Sequence, residues 1–287
     1  MWPIRRAYHS TALELRGRRF EWGARTFIMA VINATPDSFS GDGIGTAPAT
    51  AAELAVRFER EGADIIDIGG ESSRPGADPL DPAEELRRVV PVIEAVRAAT
   101  ALPISVDTYH ASVALAALAA GADAVNDIWG LRHDPAMAAV VAEAGAALIA
   151  MHNQRGRDHH DVAADILAGW HETLRLADAV GIPRDRIVLD PGFGFGWKPE
   201  QNLEMLRRLP ELAAAVDLPI LAGTSRKSTI GFVLDLPVDQ RFEGTAATVA
   251  LSIAGGSDIV RVHNVREMAR VARMTDAVVR ANWSSQP

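Results

Sequence analysis

The stretch PISVDTYHASVALAALAAGADAVNDIWGLRHDPAMAAVVAEAGAALIAMHN, residues 103–153, decides the fold. It holds three short apolar runs, at Pro103–Thr108, Ala124–Ile128 and Ala147–Asn153, and between them two longer segments whose apolar residues repeat at helical spacing. A glycine ends each helical segment just before the next run, as a C-cap residue commonly does. Apolar strands that alternate with helices are typical of a parallel sheet that is covered on both faces.

The same alternation continues in both directions along the chain, for example in the helical patterns AELAVRFEREG and EELRRVVPVIEAVRAAT. Eight strand–helix units close a (β/α)8 TIM barrel. We therefore predict one domain over residues 1–287, with the barrel at about 26–280. A doubly wound open sheet is the alternative, but its glycine-rich fingerprint is missing after the first strand. The other five runs are Phe27–Asn33, Ala63–Gly69, Ile187–Gly192, Pro219–Ser225 and Asp258–Asn264.

The residues before the barrel and the overall composition add further expectations. ALELRGRRFEWG, Ala12–Gly23, predicts a short N-terminal β-hairpin that plugs or flanks the barrel. The net charge of -8 provides no basic field for nucleic acid, and the lack of cysteine excludes disulfides, thiolate nucleophiles and cysteine-ligated zinc. No apolar segment follows MWPIRR and none is long enough to span a membrane. We therefore expect a soluble, cytoplasmic protein.

Polar residues collect where the predicted strands end, which is where the active sites of such barrels lie. Any one of them alone is as well explained by a helix N-cap or a turn. Their presence at all eight strand ends favours a catalytic mouth. They are Asn33; Glu71, Ser73 and Arg74; Asp107; Asn126 and Asp127; His152 and Asn153; Asp190; Arg226, Lys227 and Ser228; and Arg261 and His263.

These residues divide into two chemical sets. Asp107, Asn126 and Asp190 end buried strands, and a buried carboxylate needs hydrogen-bond donors. A flat heterocycle with adjacent N–H groups supplies such donors, and a guanine-like pterin offers more of them on one edge than adenine. The second set is basic and fits phosphate oxygens, which often bind after the seventh and eighth strands. The sequence thus favours a heterocycle that carries phosphate. The basic set is Arg74, Lys227, Arg261 and His263.

The strings NATPDSFS, DIGGESSRPGA, SVDTY, ND, MHNQ, DPGFGFG, GTSRKS and RVHN occur in this order between about residues 26 and 279. Together they resemble the dihydropteroate synthase family of pterin-binding barrels. The resemblance implies a homodimeric, Mg²⁺-dependent transferase of folate biosynthesis and a sulfonamide target. Its reaction would join 6-hydroxymethyl-7,8-dihydropterin pyrophosphate to p-aminobenzoate, giving 7,8-dihydropteroate and pyrophosphate, with no nucleic-acid or membrane partner.

The resemblance also implies a role for each matching residue. The expected catalytic residues are Lys227, Arg261, Asp107 and Asp190. The expected pterin-binding residues are Asp107, Asn126, Met151, Asp190, Lys227 and Arg261. Pyrophosphate would contact Asn33, Ser73, Arg74, Arg261 and His263, with Asn33 also a metal ligand. The p-aminobenzoate pocket would comprise Phe39, Pro75, Phe195, Lys227 and Ser228.

Three positions depart from the family pattern: Asp42 comes one position late in the first loop, and His110 and Asn264 stand where Lys and Asp are common. Two other functions stay open. A pterin-dependent methyl-transfer barrel would share the Asp and Asn pattern but lack TPDSFS and SRPG. A catalytically silent paralogue would have lost basic residues that are present here. The histidine-rich stretch HNQRGRDHHD lacks zinc-ligand spacing and is interpreted as a solvated loop.

Overall fold

The computed structural model describes residues 7–35, 47–71 and 80–283, and within them the chain forms ten β-strands and nine α-helices. The strands are β1 Ala12–Leu15, β2 Arg18–Glu21, β3 Phe27–Asn33, β4 Ile65–Gly69, β5 Ile104–Asp107, β6 Ala124–Asp127, β7 Ala147–Met151, β8 Ile187–Asp190, β9 Leu221–Ala222 and β10 Ile259–Val262. The helices are α1 Pro48–Glu61, α2 Pro82–Ala99, α3 Ala111–Ala119, α4 Met137–Ala144, α5 Val162–Val180, α6 Pro199–Ala215, α7 Ser228–Leu234, α8 Phe242–Ala254 and α9 Val265–Val279.

The predicted (β/α)8 barrel is confirmed. Eight parallel strands pair in the order β8-β7-β6-β5-β4-β3-β10-β9, so the first strand of the barrel lies beside the last. A parallel bridge between Leu189 and Ile220 joins the two ends of this sheet and closes it. Each strand leads into a helix, and the β9 segment leads into two, the short α7 and then α8. No helix in the described ranges is long and apolar enough to cross a membrane.

The predicted runs differ from the observed strands mainly at their carboxyl ends. The run Pro219–Ser225 keeps only Leu221–Ala222 as strand, and His152 and Asn153 lie beyond the end of β7. The backbone leaves the ladder here because these residues turn into the βα loops. Gly192 shows this most directly, since its φ of 81° ends the β8 run in a left-handed turn.

The N-terminal hairpin plugs the barrel rather than flanking it. Its strands β1 and β2 pair antiparallel around Arg16 and Gly17, whose φ values of 48° and 71° suit a two-residue hairpin turn. The Phe20 ring lies 4.9 Å from the Phe27 ring, centroid to centroid. The hairpin side chains form one buried cluster with residues near the start of the barrel strands, so they seal that end. The cluster is Leu13, Leu15, Phe20, Trp22, Phe27, Met29, Ile65, Ala124, Ala147, Ile149, Val188, Leu221 and Ile259.

Along each strand, every second residue faces the barrel interior, so the inward face continues from the hairpin end to the opposite end of the barrel. Because side chains alternate across a strand, the inward position after Ile65 on β4 is Asp67, and the inward position after Ile259 on β10 is Arg261. The intervening Ile66 and Val260 belong instead to the large core between strands and helices. The same eight strands therefore present an apolar interior at one end and a polar interior at the other.

Candidate active site

Asp67 lies at the base of the polar end and is 0% exposed. Its carboxylate accepts hydrogen bonds from Arg261 Nε at 2.6 Å, from Asn126 Nδ2 at 3.1 Å and from the Ser105 hydroxyl. Three strands therefore supply donors to one buried carboxylate, which offsets the penalty of burying it. Asp67 is not among the residues predicted for the site. The available signal was an aspartate at an inward position inside the apolar strand IIDIG.

Arg261 joins two carboxylates. Besides Asp67, it contacts Asp107, whose Oδ2 accepts from Nη2 at 2.8 Å. Burial alone would lower the pKa of Arg261, but the Asp67 and Asp107 carboxylates outweigh burial and raise it. The guanidinium is therefore a permanent cation with a fixed orientation, held between β4 and β5. This double ion pair was not part of the role expected for Arg261.

Asp107 and Asp190 are carboxylates whose protonation is poised near neutrality. Burial raises the pKa of Asp107 to about 7, against the opposing effect of Arg261. Burial likewise raises the pKa of Asp190 to about 6, although Asp190 accepts a hydrogen bond from Gly192 N at 2.7 Å. Such groups gain from any ligand that donates N–H groups to them, because hydrogen bonds to the ionised form favour it.

Lys227 stands just before α7 and lines the same space. Burial lowers its pKa to about 8, and the nearby Arg261 lowers it further while Asp190 and Asp107 raise it. Its Nζ lies 4.1 Å from the centroid of the Phe195 ring, a cation–π distance. Phe195 packs with the buried Met151 and Ile128, so an apolar wall adjoins the charged groups. A flat, partly polar molecule is the natural occupant of such a space.

The remaining predicted residues lie around this centre. Asn33 ends β3 and is half-buried, and Ser228 is exposed in the first turn of α7. His263 follows β10, and its Nδ1 lies 2.9 Å from the Ser225 hydroxyl oxygen, which also accepts from His263 N at 3.3 Å. Arg226, by contrast, has a φ of 58° and donates to Asn264 Oδ1 at 2.8 Å, so it stabilises the loops.

The structure brings Asp107, Asp190, Lys227 and Arg261 into one electrostatically coupled cluster, as expected for a common site. Asn126 joins them through Asp67. Five of the residues predicted or discussed from the sequence lie outside the described residues. They are Phe39, Asp42, Ser73, Arg74 and Pro75.

Two other strand-end residues have structural roles. Asp127 accepts hydrogen bonds from the backbone N–H groups of Trp129 at 2.8 Å and Leu131 at 2.6 Å, and so fixes the loop after β6. Burial lowers the pKa of His152 to about 4, so it is neutral at physiological pH and packs against Gly169 of α5. These residues show that a polar strand end can serve the fold as well as the chemistry.

Comparison with known proteins gives a consistent result. A family model described as "Pterin binding enzyme" matches residues 29–263. The dihydropteroate synthase of Bacillus subtilis is 47% identical over 255 residues, which cover 89% of each protein. The crystal structure of a Clostridium difficile dihydropteroate synthase in the presence of pteroic acid has a TM-score of 0.86 at 49% identity, covering 91% of this chain and 99% of that one. A Xanthomonas albilineans dihydropteroate synthase with 4-aminobenzoic acid gives 0.86 at 40% identity, covering 94% and 98%.

Proposed function

The chain belongs to the pterin-binding enzyme family, and on this premise we propose how its barrel mouth carries out dihydropteroate synthesis. The reaction condenses 6-hydroxymethyl-7,8-dihydropterin pyrophosphate with p-aminobenzoate to 7,8-dihydropteroate and pyrophosphate. The observation that carries the proposal is the buried cluster of Asp107, Asp190, Lys227 and Arg261. It sets acceptors poised near neutrality beside two cations and an apolar wall.

The pterin ring occupies this cluster. Asp107 and Asp190 accept hydrogen bonds from its N–H groups, and Asn126 completes the polar edge. Lys227 donates to the ring carbonyl, and Met151 contacts the apolar face. The support is electrostatic: burial raises the pKa of Asp107 to about 7 and that of Asp190 to about 6, and donated hydrogen bonds would stabilise their ionised forms.

The chemical step breaks the bond between the pterin methylene carbon and the pyrophosphate oxygen and forms a bond from that carbon to the amine nitrogen. The electron pair leaves with pyrophosphate, and the amine loses one proton. Asp107 and Asp190 stabilise positive charge on the pterin, while Arg261 and His263 stabilise the leaving anion. Ser73 and Arg74 complete the anion site in this proposal. No covalent nucleophile is required.

Mg²⁺ is the proposed metal, with Asn33 as its protein ligand. The fit rests on the donor chemistry, because Asn33 places an amide oxygen at the end of β3 and Mg²⁺ prefers oxygen ligands. Mg²⁺ commonly takes one or two protein oxygens and completes its shell with substrate phosphates and water. When bound, it would neutralise charge on the pyrophosphate oxygens.

The p-aminobenzoate pocket is proposed beside the pterin. Phe195 offers an aromatic face, with the Lys227 Nζ 4.1 Å from its centroid. Ser228 offers an exposed hydroxyl in the first turn of α7. Phe39 and Pro75 complete the pocket in this proposal and exclude water from the reacting carbon. Sulfonamides, as analogues of p-aminobenzoate, are proposed to compete for the same pocket.

We also propose that the protein is a cytoplasmic homodimer. Large apolar side chains are exposed on both of the adjacent helices α7 and α8, among them Phe232, 71% exposed, and Leu251, 54% exposed, and contiguous exposed apolar surface often marks an interface. Sedimentation should give a dimer mass, and Leu251→Asp should shift it towards monomer. A concentration-independent monomer would remove the homodimer from the proposal, and cell fractionation tests the location.

Product analysis tests the activity directly. With both substrates and Mg²⁺, mass spectrometry should detect 7,8-dihydropteroate in a one-to-one ratio to pyrophosphate. A methyl-transfer barrel would bind the pterin but release no pyrophosphate, and a silent paralogue would form no product. Either result contradicts the proposed function.

A further inference from the structure

A second group of ionisable side chains lies at the rim of the mouth. Glu71 follows β4, Glu85 lies in the first turn of α2, and His110 immediately precedes α3. Each offers one ligand atom, and these atoms all lie within 4.8 Å of one another. His110 Nδ1 is 2.7 Å from Glu85 Oε2, and the Tyr109 hydroxyl donates to Glu71 Oε1 at 2.8 Å. None of these residues has a role in the reaction proposed above.

The backbone holds this group together. The chain crosses from β4 to Glu71 through Gly70, where a Cβ would collide with the Val89 side chain of α2. The absence of a side chain at Gly70 lets α2 pack closely on the end of β4. That close packing brings Glu85 beside Glu71, and the first residues after β5 place His110 on the other side of Glu85.

The two carboxylates are incompletely satisfied. Glu85 is 1% exposed, and its Oε1 has no hydrogen-bond partner. Glu71 Oε2 is also buried and also has no hydrogen-bond partner. Burial raises the pKa of Glu85, the side chains of His110 and Thr108 oppose that rise, and the charge of Glu71 adds to it. One imidazole therefore faces two carboxylates with two unsatisfied oxygens.

Two basic side chains of the described chain lie near this group. Arg88 donates to Glu84 Oε1 at 2.7 Å. Arg155 interacts electrostatically with Glu71, but its guanidinium carbon lies 5.0 Å from the centroid of the Phe195 ring. A buried carboxylate oxygen without a hydrogen-bond donor is unfavourable. A cation bound by both carboxylates would offset this cost.

We propose that Glu71, Glu85 and His110 bind one divalent transition-metal ion, with a water molecule as the fourth ligand. Two carboxylates and an imidazole form a ligand set suited to Zn²⁺. Bond lengths of about 2.0–2.2 Å place tetrahedral ligand atoms about 3.3 Å apart. Because the ligand atoms already lie within 4.8 Å of one another, none of them has to approach another by more than about 1.5 Å, while His110 Nδ1 and Glu85 Oε2, now 2.7 Å apart, would separate slightly. The ion would tie the end of β4 to α2 and α3. Mg²⁺ does not fit, because it prefers six oxygen ligands.

The test is calorimetric titration of metal-stripped full-length protein with Zn²⁺, without substrates. His110→Lys is the decisive variant, because lysine places a hydrogen-bond donor beside Glu85 but removes the ligating imidazole. The loss of an outer-shell partner weakens metal binding about 10–100-fold, so the loss of this direct ligand should weaken one Zn²⁺ site at least that much. Titration with Mg²⁺ alone should not fill the site.

A matched control separates this site from adventitious binding. His159→Gln with His160→Gln removes two exposed histidines that pair with Asp165, and it should leave the high-affinity site intact. Zn²⁺ should also raise the Tm of the wild type and of this control but not of His110→Lys. If Glu71→Gln and His110→Lys both fold and bind as many Zn²⁺ ions as the wild type with equal affinity, the proposal is wrong. It is equally wrong if the wild type binds none.

Discussion

The two ends of the barrel are lined by the same strands but are built from opposite kinds of side chain. At the hairpin end, Phe20 and Phe27 pack in a cluster of apolar side chains, and the buried carboxylates beside it, Asp64 and Asp258, accept hydrogen bonds from strand backbone N–H groups. At the mouth, Asp67, Asp107 and Arg261 are held together by ion pairs. The difference teaches that one inward position along a strand can serve stability and the next position can serve chemistry.

The largest effect is expected at Arg261, which both stabilises the fold through its ion pairs and has a proposed role in the reaction. Arg261→Leu leaves Asp67 and Asp107 without their cation, and breaking a buried ion pair is destabilising by about 3–5 kcal/mol. It should also remove the contact proposed for the leaving pyrophosphate. The free energy of unfolding measured in urea and the turnover rate should both fall. Adding Asp67→Asn should restore part of the stability but not the turnover, whereas recovery of turnover would contradict the role of Arg261.

A substitution at the hairpin end of the barrel should change stability but not turnover. Phe20→Ala removes a buried ring and should lower the free energy of unfolding by about 3–5 kcal/mol. Turnover per folded molecule should stay close to that of the wild type, because the ring lies at the opposite end of the barrel from the mouth. Glu14→Ala, at an exposed position of the same hairpin, is the control. A selective loss of turnover in Phe20→Ala would contradict the claim that the hairpin end serves stability alone.

A substitution of Lys227 should do the reverse, lowering turnover with little effect on stability. Lys227→Ala removes a cation from the mouth and should lower kcat/KM by about 10²–10³-fold, the usual effect of losing one electrostatic contact in a transition state. Burial already lowers the pKa of Lys227 to about 8, so its charge is not a strong source of stability. Steady-state kinetics and urea unfolding on the same preparation separate the two effects. A large loss of stability would count against this assignment.

Asp190→Asn should increase stability while lowering turnover. The folded pKa of Asp190, about 6, is above its ordinary value of 3.8, so its contribution to stability is present below about pH 4 and is lost as pH rises through about 6. Relative to the wild type, the variant should therefore gain about 1–3 kcal/mol between these pH values and hold that gain above them. Urea unfolding at pH 4.5, 6 and 8 tests this. A difference that does not vary with pH would contradict it.

The smallest effect is the pH dependence of the wild type. If ionised carboxylates and protonated Lys227 are required, kcat/KM should rise as the pH increases through about 6–7 and fall above about 8. Asp190→Asn should weaken the acidic limb, and Lys227→Arg should move the basic limb upward. A kcat/KM that does not change between pH 6 and 9 would show that the titration of these groups does not control the rate.

Most of this contrast could be predicted from the sequence. The apolar runs give the strands, and the polar residues at their ends give Asp107, Asn126, Asp190, Lys227 and Arg261, because parallel strands place their carboxyl ends together. The prediction missed the partner at the base of the mouth. Asp67 and Arg261 are 194 residues apart and lie on strands separated by β3, so their contact depends on register.

Other misses have equally local causes. Arg226 is basic like its neighbour Lys227, yet its backbone φ of 58° and its hydrogen bond to Asn264 direct it into the loops. The rim group of Glu71, Glu85 and His110 was also missed, because it depends on how closely α2 approaches β4 at Gly70. Periodicity predicts which face a residue occupies, but not which neighbour meets it.

The most direct test of the account is pyrophosphate release measured on the wild type, Lys227→Ala and Phe20→Ala, with Mg²⁺, the pterin pyrophosphate and p-aminobenzoate, at a temperature where all three proteins are folded. We expect release by the wild type and Phe20→Ala at similar rates, dependent on p-aminobenzoate, and at least about 10²-fold slower release by Lys227→Ala. Equal rates in the wild type and Lys227→Ala, or no release by the wild type, would contradict the assignment of the reaction to the barrel mouth.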